Sequence, residues 1–178
     1  MSHNSSKHYN SWNKFIEEAK EEKPLAVIKE NTSHKIAFNI MPNNIIQEEL
    51  IIKNYKIWDN SIEVNFDHKI SNQEKNNLSY LTLLSIQIQI QKLIYIYMCY
   101  KLGFKYDPSA PEVLKIWPTR VDCKVSRMIR NNKSLRQVLY FERLEKTGDG
   151  VYFSSGTSIV NNAMVIYGEV NVYVLGKN

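Results

Sequence analysis

The sequence is poor in the residues that build cross-linked or metal-stabilised folds. Its 178 residues include only two cysteines, Cys99 and Cys123, and these do not form a CxxC pair. Two cysteines in a chain of this length do not make a disulfide scaffold, so we expect a reducing compartment. The four histidines lack the HxxxH or HExxH spacing of a zinc site, so we expect no metal.

The sequence also lacks a long apolar run. The longest uninterrupted apolar stretch, Leu93 to Tyr100, is too short to cross a bilayer. The segment MSHNSSKHYN at 1–10 has no apolar part of the kind found in signal peptides, so we expect a disordered tail and no secretion signal. The prediction is a soluble, cytoplasmic protein without a membrane span.

The composition is that of one folded unit. Apolar residues make up 43% of the chain, which is enough for a core. No repeat and no Pro/Ser/Gly-rich linker divides the chain, so we predict a single domain over 11–178. The net charge of +5 suits phosphorylated cofactors, acidic carrier proteins or nucleic acid, and it equally suits solubility alone.

The first part of the chain predicts a short helix followed by strands. Ser11 to Lys23 has helical composition, and Pro24 ends it. The segments LAVI and KIAFNI could be strands, with a turn at Pro42. Two further strands, ELIIKNYKIW and SIEVNFDHKI, flank the turn residues Asp59-Asn60, and the second alternates apolar with polar residues, so we predict a hairpin.

The segment from Leu78 to Leu102 predicts one long helix. It contains no proline or glycine, Gly103 follows as a stop signal, and Asn76, Asn77 or Ser79 could cap its start. Its IQIQIQ part alternates like a strand, but the whole segment exceeds the usual strand length of about 3–10 residues. Because it is apolar on nearly every side, we expect protein to surround it.

The rest of the chain predicts strands joined by turns. Asn131-Asn132 and Thr147–Gly150 have turn composition. The predicted strands are Val121 to Arg130, Leu135 to Lys146, Val151 to Val160 and Met164 to Leu175. A hairpin, a long helix and about four antiparallel strands, in that order, predict an α+β fold with one helix against one sheet.

Three segments resemble a known family, the FcoT-like group of type III fatty acyl-CoA thioesterases. LIIKNYKIWDNSIEVNFDHKI resembles the family's opening hairpin, NLSYLTLLSIQIQIQKLIY lies where the family has its helix, and YGEVNVYVLG resembles its final strand. The resemblance covers roughly residues 48–176. It implies a hotdog fold, in which an antiparallel sheet wraps a long central helix. It also implies hydrolysis of an acyl-CoA or acyl-carrier-protein thioester, no cofactor, and at least a homodimer.

A weaker resemblance leads to two alternatives. The A-factor-biosynthesis hotdog proteins and related dehydratases carry Asp-His before the helix, as Asp67-His68 do here, and a Glu and a Gln inside it. Gln89 fits that Gln, but Ser85 occupies the Glu position. Thr82 and Gln91 stand where the thioesterase family has asparagines. The alternatives are therefore a dehydratase-type enzyme and a non-catalytic acyl-binding or scaffold protein.

The candidate site lies at the start of the long helix. Thioester hydrolysis places negative charge on the carbonyl oxygen, which the free N–H groups and positive dipole end of a helix N-terminus can stabilise. A polar side chain must also activate water. The candidate catalytic residues are Asp67, His68, Thr82 and Ser85. Each also has a structural explanation, as a polar residue at a strand end or in helix packing.

Six further residues are candidates for substrate binding. Tyr80, Gln89 and Gln91 lie in or near the helix, although such glutamines could instead bond to strand backbones or to a dimer partner. Lys124, Arg127 and Arg130 could bind coenzyme A phosphates or an acidic carrier protein, or could form a solvated hairpin tip. We expect no nucleic-acid binding, because no recognised motif is present.

Overall fold

The computed structural model describes residues 23–41, 44–71, 80–130 and 134–175. Within them one helix, α1, spans Leu83–Lys101. The strands are β1 (Ala26–Met41), β2 (Asn44–Ile57), β3 (Ser61–Ser71), β4 (Leu114–Val125), β5 (Leu135–Gly148), β6 (Val151–Val160) and β7 (Met164–Val174). The predicted combination of a long helix and an antiparallel sheet is confirmed. The predicted tail at 1–10 and the helix predicted from Ser11 lie outside the described residues.

The seven strands form one sheet that curves around the helix. Their order is β1-β2-β3-β5-β6-β7-β4, and every neighbouring pair is antiparallel. The helix contacts β2 and β3 on one side and β4 at the far edge of the sheet. Helix residues such as Ile86, Leu93 and Ile96 are therefore buried in one apolar core with the inner face of the sheet. None of the described helical segments is long and apolar enough to span a membrane.

The predicted start of the helix is wrong. The helix begins at Leu83, and Thr82 caps it by accepting a hydrogen bond from the Ser85 N–H at 3.2 Å. Tyr80 forms an isolated antiparallel bridge with Arg130, which holds the chain extended just before the cap. At the other end the prediction is close, because the helix ends at Lys101 and Gly103 follows with a φ of 74° that favours glycine.

The predicted bounds of the strand after the helix are also wrong. We predicted Val121 to Arg130, whereas β4 spans Leu114–Val125. Pro118 lies inside the strand, and the register shifts between Pro118 and Arg120. A proline is tolerated here because β4 is an edge strand, where a missing N–H costs no bond to a neighbouring strand.

The helix is not surrounded on every side, as its composition predicted. The side of α1 that faces the sheet is buried, but Leu84 and Ile88 are 48% and 37% exposed. These positions lie on the side that the described residues of this chain leave uncovered.

Gly156 allows a close approach of β5 to β6. A Cβ atom at this position would clash with the Tyr140 carbonyl oxygen. We therefore expect Gly156→Ala to lower the free energy of unfolding by about 1–3 kcal/mol, the usual cost of overpacking. Urea denaturation would measure this change in the free energy of unfolding. Gly148→Ala is the matched control, because its Cβ would meet only Val151 side-chain atoms at 3.6 and 3.7 Å. Equal midpoints for the two variants would contradict the expectation.

Candidate functional site

A glutamate that the sequence analysis did not single out lies in a largely buried polar cluster. Glu48 is on β2 and His68 is on β3, and both project from the inner face of the sheet. His68 Nε2 lies 2.7 Å from Glu48 Oε1, and neither side chain has exposed surface. The strand pairing therefore places a carboxylate beside an imidazole inside the core.

The start of the helix completes this cluster. The Thr82 N–H donates to Glu48 Oε1 at 3.2 Å, and the Thr82 hydroxyl donates to Oε2 at 2.9 Å. The Ser85 hydroxyl donates to the same Oε2. We call Glu48, His68, Thr82 and Ser85 the Glu48 cluster. Three of the four predicted catalytic residues are brought together in it, around a carboxylate at the N-terminus of α1.

The cluster keeps Glu48 ionised. Burial by itself raises the pKa of this carboxyl group, but contacts from His68, Ser85 and Thr82 outweigh burial and hold the pKa below its ordinary value of 4.5. A carboxylate that stays charged can orient a neighbouring imidazole and stabilise its protonated form. Nδ1 of His68 is buried and has no hydrogen-bond partner among the described residues.

Asp67 is not part of the cluster. It is the neighbour of His68 on β3, and successive side chains of a strand point to opposite faces. Its carboxylate lies 2.8 Å from the Lys53 ammonium and accepts the Ser134 N–H at 2.8 Å. The structure thus separates the two members of the predicted Asp-His pair.

A buried chain of hydrogen-bonded side chains begins one helical turn after Ser85. Gln89 Nε2 donates to Gln137 Oε1 at 2.5 Å, and Gln137 Nε2 donates to the Ser158 hydroxyl at 2.8 Å. Gln89 Oε1 is buried and has no partner among the described residues. Since residues four apart share a helix face, this chain of hydrogen bonds extends the polar side of the helix from the Glu48 cluster toward β6.

A cavity of about 160 Å³ lies between α1 and the inner face of strands β4 to β7. Ile90, Ile94 and the exposed Gln91 line it from the helix, and Ser158 lines it from β6. Gln91 also lines a larger groove on the outer side of the helix, with Lys92 and Tyr106. Of the predicted binding residues in the helix, Gln89 is therefore buried in the hydrogen-bond chain, whereas Gln91 is exposed and lines both the cavity and the groove.

The basic residues do not form a hairpin tip, because β4 pairs with β7 while β5 pairs with β3 and β6. Lys124, Arg127 and Arg130 are all exposed. Arg130 is bridged to the half-buried Tyr80, just before α1, whereas Arg127 donates to the Asn161 carbonyl at 3.2 Å. Lys124 lies on β4, opposite Val165. Only Arg130 and Tyr80 are thus brought next to the start of the helix.

Comparison with known proteins does not assign the chain to a family. No protein-family model matches the sequence, and no curated protein matches it. Among solved structures, one match is a mutant of a thioesterase from Pseudomonas aeruginosa, with a TM-score of 0.43 and 12% identity over 70% of this chain and 82% of that chain. A similarity this remote carries no evidence on activity or substrate.

Proposed function

We propose that this protein is a hotdog-type hydrolase of acyl thioesters, with His68 as its general base. The observation that carries the proposal is the buried carboxylate–imidazole pair of Glu48 and His68 at the N-terminus of the central helix. Release of free thiol from acyl-CoA and acyl-carrier-protein substrates by the purified protein tests it. A protein that releases no thiol from a broad panel would contradict it.

The mechanism follows from the different roles of the two ring nitrogens of His68. Glu48 holds Nε2, and Nδ1 takes a proton from a water molecule as that water attacks the thioester carbonyl. The carbonyl oxygen becomes an oxyanion, which the free N–H groups of the first turn of α1 stabilise. When the C–S bond breaks, the proton on His68 passes to the leaving thiolate.

Thr82 and Ser85 act as positioning residues in this mechanism. Their hydroxyls donate to Glu48, so they hold the carboxylate and keep its pKa low. Both hydroxyls donate to the carboxylate that orients His68, and we assign neither of them as a nucleophile. Arg130, beside the start of α1, would pair with phosphates of coenzyme A or with acidic groups of a carrier protein.

One observation favours a non-catalytic acyl-binding protein as the second candidate. Glu48, His68 and Ser85 have at most 1% of their surface exposed in the single chain, which also suits a cluster that only stabilises the fold. The dehydratase alternative has no such support, because Asp67 and His68 face opposite sides of β3.

We also propose a homodimer formed through the β4 edge. No other strand of the described residues pairs along the outer side of β4, and its exposed apolar residues include Trp117 (58%) and Val125 (47%). Pairing with a second chain would use Val121 to Val125, beyond Pro118 and the register shift that follows it. Light scattering should give twice the 20.9 kDa chain mass. Val125→Lys should produce monomers, whereas Val27→Lys on β1, an exposed apolar residue at the opposite edge, should not. A monomeric wild-type protein would contradict this prediction.

A further inference from the structure

We infer that the cavity between α1 and the sheet takes a short acyl group, of about six carbons or a single ring, and that Gly168 sets its depth. The inference rests on the proposed thioesterase function and makes it more specific. It assigns a substrate class that excludes long fatty chains.

The size of the cavity is the first support. Its volume is about 160 Å³. An apolar protein cavity of about 150 Å³ is known to hold benzene, so this cavity suits about six carbon atoms. A long fatty chain could not be enclosed in that space.

The second support is a row of residues that runs across the sheet under the helix. Strand pairing aligns Phe141, Gly156, Gly168 and Val121 in this order, from β5 to β4, and all four line the cavity. The two central positions have no side chains. The flanking residues Ile166 and Val170 share the inner face of β7 and wall the space on either side of Gly168.

The two glycines have different roles. Gly156 is required by the backbone, since a Cβ there would clash with the Tyr140 carbonyl oxygen. A Cβ at Gly168 would meet nothing closer than the Arg120 carbonyl oxygen at 3.5 Å, an ordinary contact. The backbone therefore does not need a glycine at 168, and a side chain there would occupy the cavity instead.

A buried hydrogen-bond chain links one wall of the cavity to the helical turn that follows the Glu48 cluster. Ser158 lines the cavity and ends the buried hydrogen-bond chain that runs through Gln137 to Gln89. Gln89 in turn lies one turn from Ser85 of the Glu48 cluster. An acyl group in the cavity would thus meet mostly apolar walls, with Ser158 as the contact that leads toward the Glu48 cluster.

The test measures binding rather than turnover. Dissociation constants for straight-chain carboxylates from acetate to palmitate, and for phenylacetate, are measured by NMR titration on wild type, Gly168→Ala, Gly168→Val and Gly148→Ala. We expect tightest binding near hexanoate or phenylacetate. Because one methyl group in an apolar pocket changes affinity by roughly 10–200-fold, Gly168→Ala should weaken hexanoate binding about tenfold or more, and Gly168→Val should weaken it further. Gly148→Ala, outside the cavity, should bind as wild type.

The outcomes separate this inference from the proposed function. Affinity that rises steadily up to palmitate would overturn the inference, as would unchanged hexanoate binding in a Gly168→Val variant with a wild-type circular dichroism spectrum. Hexanoate binding that depends on Gly168, in a protein that releases no thiol, would uphold the cavity and overturn the hydrolase. Thiol release from long-chain substrates only would uphold the hydrolase and overturn the inference of a short acyl group.

Discussion

Glu48→Gln is expected to lower kcat/KM for thioester hydrolysis by about 10²–10⁴-fold, the usual contribution of a positioned acid–base system. Glutamine has nearly the same shape as glutamate, so Thr82 and Ser85 keep an acceptor oxygen. The variant loses the negative charge that holds His68 and would stabilise its protonated form. The measurement is thiol release at saturating and at limiting substrate, with a short-chain thioester.

Glu49→Gln is the matched control. Glu49 is the next residue on β2, so its side chain leaves the opposite face of the strand, and it is half-buried. We expect wild-type kcat/KM for this variant. If Glu48→Gln were as active as Glu49→Gln, the Glu48 cluster would only stabilise the fold, and the hydrolase mechanism through His68 would be abandoned.

The type and the end of the helix could be predicted because the signals are local. The length of the segment excluded a strand despite the IQIQIQ alternation, and Gly103 has the positive φ that its position after the helix predicted. The start was mispredicted because the cap depends on distant residues. Thr82 is fixed by Glu48 of β2, and Tyr80 is held extended by Arg130. Asn76, Asn77 and Ser79 were equally good caps by sequence.

The cluster was half predicted for a similar reason. Thr82 and Ser85 were found because they lie near the predicted helix start, and His68 was found through the resemblance of the Asp67-His68 pair. Glu48 was missed because the predicted strand begins at Glu49, just after it, whereas β2 begins at Asn44. The alternation of the strand could have found it. Glu48 lies two and four residues before the buried Leu50 and Ile52, so all three side chains point to the core face.

The order of the strands in the sheet could not be predicted from the sequence. Neighbouring strands in the chain usually pair, so the sequence predicts that the strands on either side of Asn131-Asn132 form a hairpin. In the structure β4 crosses to β7, and Cys123 lies opposite Ile166. That crossing produces the exposed β4 edge, and it also brings β4 against the cavity, where Val121 lies opposite Gly168. Such long-range pairings are specified by the whole core and not by any one segment.

Glu48→Ala is expected to destabilise the fold by about 3–5 kcal/mol at neutral pH, the usual result of removing one partner from a buried ionic cluster. The change leaves the Thr82 and Ser85 hydroxyls without their acceptor and removes the neighbour of the buried His68. Urea denaturation gives the free energy of unfolding of the wild type and the variant.

The pH dependence of this loss identifies its cause. The pKa of Glu48 in the folded protein lies below the ordinary value of 4.5. Its ionised form therefore stabilises the fold fully above that ordinary pKa, and this contribution is lost as the pH falls through the lower, folded-state pKa. The difference between wild type and Glu48→Ala should be largest near neutral pH and should shrink in acid, while Glu49→Ala should differ little from wild type. A Glu48→Ala difference that stayed constant on acidification would mean that the charge of Glu48 does not stabilise the cluster.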